Sequence, residues 1–174
     1  MPIIPIAKDT YKTQSLLASE TNIAILNQFE KHWQDDDIKR THLFNNRYEN
    51  IYLNEAHIPE LKPLISEAVT LAEKILHSQN LRAGYWFNYM PPGSLTTMHS
   101  HDDYDELLSG VYYVAVPENS GNLILHENSE KIEIEPKTGE FIFFKPDVRH
   151  EVSRNNSSQH RLSIGMNFGP DNSS

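Results

Sequence analysis

The apolar positions of this chain change period near residue 80. Before that point, apolar residues recur every three or four positions in two stretches. After it they alternate. Ile25, Leu26, Phe29 and Trp33 form one stripe, which predicts a helix beginning near Ser19. Asp35-Asp36-Asp37 follows, and three acids at a helix C-terminus oppose its dipole, so the helix is expected to stop before them. A broader stripe, Leu61, Leu64, Ile65, Ala68, Ala72, Ile75 and Leu76, predicts a second helix, with Pro59 near its start and Ser78-Gln79-Asn80 closing it. Between the helices, residues 47–54 read as a short strand. Residues 1–12 read as an extended lead-in, since Pro2 and Pro5 forbid a helix there.

Beyond Asn80, strands are expected at 82–90, 96–101, 107–116, 121–126, 131–135, 140–145, 149–154 and 160–168. Turn residues separate them, among them Pro91-Pro92-Gly93, Pro136-Lys137-Thr138-Gly139 and Asn155-Asn156-Ser157-Ser158. Short strands joined by tight turns predict a mainly β, α+β jelly roll, with the N-terminal helices packed on one sheet from outside. The expected organisation is one structural domain: an N-terminal helical support region at 1–80, a β core at 81–170, and a frayed tail at 171–174.

Composition narrows the chemistry. The chain has 174 residues, enough for a hydrophobic core without staples. It has no cysteine, which removes disulfides, thiolate zinc sites and a cysteine nucleophile, and a bound metal must then be held by His, Asp or Glu. A formal charge of −9 sets aside nucleic acid and anionic membrane as partners. No apolar run approaches a membrane span and no signal-peptide pattern opens the chain, so a cytoplasmic location is expected.

The candidate chemistry lies between Asn88 and Asn167. His99-x-His101 puts two imidazoles on one side of a strand, about 7 Å apart at the backbone, which suits two neighbouring positions on a metal. His150, on a later strand, is placed to supply a third. Imidazole suits iron, zinc, copper or nickel. His32, His42, His57, His77 and His160 read as ordinary polar residues, and His126 stays open. In the last strand Leu162, Ile164, Met166 and Phe168 share one face, and Arg161, Ser163, Gly165 and Asn167 share the other. If the apolar face packs on the helices, Arg161 points between the sheets and needs an anionic partner, for which a ligand carboxylate is well suited. With the opposite parity Arg161 is a surface residue. The alternation alone allows both.

Asn88-x3-Pro92-Gly93-x5-His99-x-His101 resembles the entry to the site of iron(II)/2-oxoglutarate dioxygenases. His150-x10-Arg161-x-Ser163 resembles their distal half. The stretches Ser109–Pro117, Glu133–Gly139 and Arg161–Asn167 resemble the oxygenases of this class from bacteria and tailed phages. The resemblance spans about residues 82–169 and implies a double-stranded β-helix, a cupin-like jelly roll. It also implies Fe(II), 2-oxoglutarate and O2, with hydroxylation of an unactivated C–H bond and release of succinate and CO2. By the same resemblance His99 and His150 bind iron. Arg161 pairs with the distal carboxylate of 2-oxoglutarate, helped by Ser163 and Tyr113, and Asn88 touches the cosubstrate. His101 stands where the family usually has a carboxylate. A second register makes Asp103 the second ligand through His101-x-Asp103, and spacing favours His101. Trp86, Tyr89, Val111, Tyr113 and Leu123 are expected as pocket walls.

Two rivals follow from the same residues. A cupin would use His99, His101, Glu106 and His150 without 2-oxoglutarate, but has no need of Arg161. A non-catalytic jelly roll would have lost its site. The expected partner is a small-molecule or peptidyl substrate, with a homodimer through the helical half as a further expectation.

Overall fold

The computed structural model describes residues 2–17, 19–101, 104–127 and 129–172. In chain order the elements are β1 (Ile4–Ala7), β2 (Thr10–Gln14), α1 (Ser19–His32), β3 (Lys39–Phe44), β4 (Arg47–Tyr52), α2 (Leu61–Leu76), β5 (Leu81–Met90), β6 (Thr96–His99), β7 (Leu108–Ala115), β8 (Leu123–Glu127), β9 (Glu130–Ile134), β10 (Glu140–Phe144), β11 (Arg149–Val152) and β12 (Arg161–Pro170). Both helical stripes fold as helices. In α1, Glu20 lies in the first turn and Lys31 in the last, each charge favourable to the dipole, and the helix ends before the acid run. Pro63 is tolerated in α2 because first-turn N–H groups have no intrahelical acceptor. His77 closes α2 in the left-handed conformation.

The strands form two antiparallel sheets. The larger has eight strands in the order β1-β2-β10-β7-β12-β5-β4-β3, and the smaller has four in the order β6-β11-β8-β9. This is the expected double-stranded β-helix, built as an open sandwich. Two hydrophobic clusters divide it into layers. One lies outside the large sheet, where Ile25 and Phe29 of α1 and Leu61, Leu64, Ala68 and Ala72 of α2 meet Phe87, Leu162, Ile164, Met166 and Phe168. The other lies between the sheets, around Tyr113, Leu123, Leu125, Ile142, Phe144 and Val148. Each fully buried Leu, Ile, Val, Phe or Met side chain among these contributes about 1.5–3 kcal/mol.

The first eighty residues are not simply a helical support. They supply four strands, β1 to β4, to the large sheet. The lead-in is a hairpin: β1 pairs with β2, and β2 pairs with β10 through Phe141↔Thr13 and Ile142↔Lys12. Pro5 fits because β1 is the sheet's edge, where a strand can do without one backbone donor. At the other edge, β3 extends a strand expected alone, and Asn45 and Asn46 turn the β3–β4 hairpin with positive φ of 48° and 60°. The chain's end is tied as far as Asp171, whose N–H donates to the Asn80 carbonyl at 2.8 Å; Ser173 and Ser174 lie outside the described residues. No helix is long and apolar enough to cross a membrane.

Candidate metal and cosubstrate site

The strand pairing of the small sheet assembles three histidines. β6 and β11 run antiparallel with His99 directly opposite His150. Two residues on, His101 follows the end of β6, and its N–H donates to the Pro146 carbonyl at 2.8 Å. The ring centroids lie 4.9 Å apart for His99 and His101, 4.2 Å for His99 and His150, and 5.0 Å for His101 and His150. One ring nitrogen from each lies within 4.8 Å of the other two.

Backbone carbonyls orient two of the rings. His99 Nδ1 is 2.8 Å from the Thr97 carbonyl and His150 Nδ1 is 2.9 Å from the Val148 carbonyl. A carbonyl only accepts, so both Nδ1 atoms carry the proton and both Nε2 atoms keep a lone pair. Burial, then the neighbouring His99, lowers His150 to a pKa of about 3, so it is a neutral, ligand-ready imidazole at physiological pH. Phe144 and Trp86 close the site, with ring centroids 4.8 Å from His150 and 5.2 Å from His101. Three converging imidazoles suit a divalent transition metal.

The cavity between the sheets also takes in Arg161, Ser163 and Gly165 of β12 with Trp86, Asn88, Val111, Tyr113 and Leu123. The parity of β12 is therefore settled. Leu162, Ile164, Met166 and Phe168 pack on the helices, and Arg161 points inward at 1% exposure. Its Nη1 donates to the Gly121 carbonyl at 2.6 Å, and its guanidinium stacks 5.1 Å from the Tyr113 ring centroid. Gly121 presents that carbonyl from a positive φ of 99°, where an added Cβ would lie 2.3 Å from the Ser153 carbonyl oxygen. Among the described residues no carboxylate forms an ion pair with Arg161. Among the described residues its Nε and the Tyr113 hydroxyl are both buried without a hydrogen-bond partner. Burial pushes the Tyr113 phenol up to about 12, although Arg161 pulls it down, and burial draws Arg161 below its ordinary value. An anion in this cavity would meet an unpaired cation and an orphaned hydroxyl, which is what a dicarboxylate such as 2-oxoglutarate requires.

Not every expected residue arrives here. Tyr89 faces the other side of the large sheet, stacked on His160 at 4.5 Å and tilted against Phe29 and Trp33. Glu106 is not part of the histidine cluster; it accepts the Tyr104 N–H at 2.9 Å, so the four-ligand cupin arrangement is not favoured. Asp105 forms an exposed ion pair with Arg82 at 2.6 Å. His126 pairs with Glu151 at 2.9 Å. Asp103, the alternative second ligand, lies outside the described residues. Thr96, Gly110, Phe144 and Val152 line the cavity without having been expected. Strand parity does not point to Gly110, because a Cβ there would face Phe143 and Phe168 of the helix-side core, so this residue reaches the cavity through its backbone.

A jelly roll with a three-histidine cluster facing a buried arginine defines a mononuclear-metal enzyme with a carboxylate cosubstrate. Residues 85–169 match the model of the 2OG-Fe(II) oxygenase superfamily, and the chain belongs to that superfamily. It is an iron(II)- and 2-oxoglutarate-dependent dioxygenase, an oxidoreductase. A Pseudomonas putida prolyl-4-hydroxylase is similar in structure at a TM-score of 0.75 and 17% identity, with 92% of each chain covered. A prolyl hydroxylase from Trichoplax adhaerens, solved with a hypoxia inducible factor peptide, is similar at 0.73 and 17% identity, over 94% of this chain and 84% of that one. The epimerase SnoN, solved with Fe3+, alpha-ketoglutarate and nogalamycin RO, is similar at 0.75 and 13% identity, over 93% and 79%. No curated protein matches the sequence.

Proposed function

We propose that His99, His101 and His150 hold the iron, that Arg161 binds the distal carboxylate of 2-oxoglutarate with Ser163, Tyr113 and Asn88 beside it, and that the enzyme hydroxylates an unactivated C–H bond of a small-molecule or peptidyl substrate. The observation that carries this is the fully buried Arg161, without an acidic partner among the described residues, in the same cavity as three converging imidazoles. When bound, the iron and 2-oxoglutarate supply oxygen activation coupled to decarboxylation, yielding succinate and CO2. The protein's share is positional. The carbonyls of Thr97 and Val148 fix two imidazoles, Gly121 fixes Arg161, and the walls of Trp86, Phe144 and Leu123 exclude bulk water. Hydroxylation is also the chemistry named for the two hydroxylases similar to this chain. A cytoplasmic setting, where ferrous iron and 2-oxoglutarate are both supplied, completes the reading.

The test is an anaerobic titration with iron(II) and then 2-oxoglutarate, followed in the visible spectrum. The expected result is a charge-transfer band that needs both additions. Metal binding with no such band would sink the cosubstrate assignment, and no metal binding would sink the histidine assignment.

A further inference from the structure

Asn88 lines the cavity with an amide that can face two ways, and its orientation decides whether it attracts or repels a carboxylate. Arg47, forty-one positions earlier, settles it. Its Nη1 donates to Asn88 Oδ1 at 2.9 Å. A guanidinium has only donors, so the atom it meets must be the amide oxygen. The amide nitrogen then faces away from Arg47. It donates one N–H to Thr96 Oγ1 at 3.3 Å and has no protein partner for the other among the described residues.

Arg47 is held in turn. Nη2 donates to Glu49 at 2.9 Å, to the Leu95 carbonyl at 2.8 Å and to Thr96 Oγ1 at 3.4 Å. The Arg47 and Glu49 side chains are 9% and 14% exposed, so the pair is largely withdrawn from water. Among the described residues β4 pairs with β5 at Ile51↔Phe87, four residues beyond Arg47, and at this end of β4 the Arg47 side chain reaches across to β5 and β6.

We infer that Arg47 is a positioning residue for cosubstrate binding: it locks the Asn88 amide with its N–H edge toward the cavity, making Asn88 a donor to an oxygen of 2-oxoglutarate. This rests on the assignment of 2-oxoglutarate to the cavity proposed above. An arginine that merely staples the β3–β4 hairpin would make the same bonds, so the test must separate the two roles.

Iron(II)-loaded protein is titrated anaerobically with 2-oxoglutarate as wild type, Arg47→Met, Asn88→Ala and the double variant. A hydrogen bond to a charged group corresponds to about tenfold or more in affinity, so each single variant is expected to raise the Kd by that factor. Because Arg47 acts through Asn88, the double variant is expected to be no worse than the weaker single one. Iron(II) affinity is expected to stay at the wild-type value throughout. An equal further loss from Arg47→Met in the Asn88→Ala background would overturn the inference, as would an unchanged Kd in Asn88→Ala. Asn88→Asp guards against misfolding of Arg47→Met, since it keeps an acceptor for Arg47 and replaces only the donor edge. It is expected to bind 2-oxoglutarate more weakly than Asn88→Ala, and wild-type affinity there would overturn the inference. Failure of the wider reading looks different: 2-oxoglutarate binding that survives Arg161→Met removes the ligand from the cavity and the inference with it. Loss at Arg161 without loss at Asn88 overturns the inference alone.

Discussion

Replacing Arg161 with Met separates the arginine's cost to the fold from its use. The guanidinium is 1% exposed, donates to Gly121 at 2.6 Å, and has no acidic partner among the described residues. Removing it forfeits a charged hydrogen bond of about 1.5–3 kcal/mol and a desolvated cation–π contact of about 2 kcal/mol. It also relieves a desolvation penalty of about several kcal/mol for a buried ion. These nearly cancel, so the metal-free, ligand-free variant is expected to melt within about 5 °C of wild type. With 2-oxoglutarate the two proteins should part. At a hundredfold excess over its Kd a ligand stabilises the folded state by about 2.7 kcal/mol, which for a chain of this length raises Tm by about 5–11 °C. Truncating one partner of a buried charge pair costs about 2–5 kcal/mol, or at least about thirtyfold in affinity. The same concentration then stabilises the variant by under about 1 kcal/mol, a shift of about 4 °C or less. The assay is anaerobic thermal unfolding with iron(II) alone and with iron(II) plus 2-oxoglutarate. A variant that keeps the full 2-oxoglutarate shift, or loses the iron shift in equal measure, would refute the reasoning.

His101→Ala is expected to lower iron(II) affinity by more than the about 10–100-fold typical of losing a mere supporting partner, while Asp103→Asn leaves it within about twofold; a metal titration that reverses this order makes Asp103 the ligand. Tyr113→Phe removes a buried hydroxyl that has no partner among the described residues; urea unfolding should show unchanged or higher stability without ligand, and 2-oxoglutarate affinity should fall by about tenfold. Gly165→Ala would place a Cβ 2.6 Å from Trp86 Cε2, with the Trp86 ring centroid 5.2 Å from that of His101. Overpacking of this kind costs about 1–3 kcal/mol in urea unfolding, and the displaced indole should weaken metal binding with it; unchanged metal affinity would mean the ring moves away from His101.

What the sequence concealed has a physical reason at each point. β1 was hidden by Pro5, which is usually read against a strand but is harmless on an edge. β3 was hidden because Lys39–Phe44 has no buried residue, so no alternation marks it. Tyr89 was misplaced against parity: Trp86 and Asn88 face the cavity, so Phe87 and Tyr89 must face the helices. The clustering of the three histidines was legible in their spacing, whereas the inward direction of Arg161 was not, because the alternation of β12 allows either parity until the helices are seen to cover its apolar face. Arg47 was not legible either, since its tie to Asn88 crosses from a separate hairpin and leaves no periodic trace.

The two faces of β12 show why fold and chemistry stand or fall together here. The strand runs between β5 and β7, ten residues long, and its even positions bury Leu162, Ile164, Met166 and Phe168 against both helices. Its odd positions hand Arg161, Ser163 and Gly165 to the cavity. A slip of one residue would expose four apolar side chains to the cavity and drive an arginine into the helix-packed core, which costs far more than any single contact. The helices therefore fix the direction of Arg161 without touching it. Gly165 extends the same logic to the metal side. Its missing side chain lets Trp86 lie against the strand beside His101, so the residue that admits the indole sits on the strand that carries the cosubstrate arginine. Strengthening the helix face should accordingly tighten cosubstrate binding only through rigidity, whereas changes at odd positions of β12 act on binding directly.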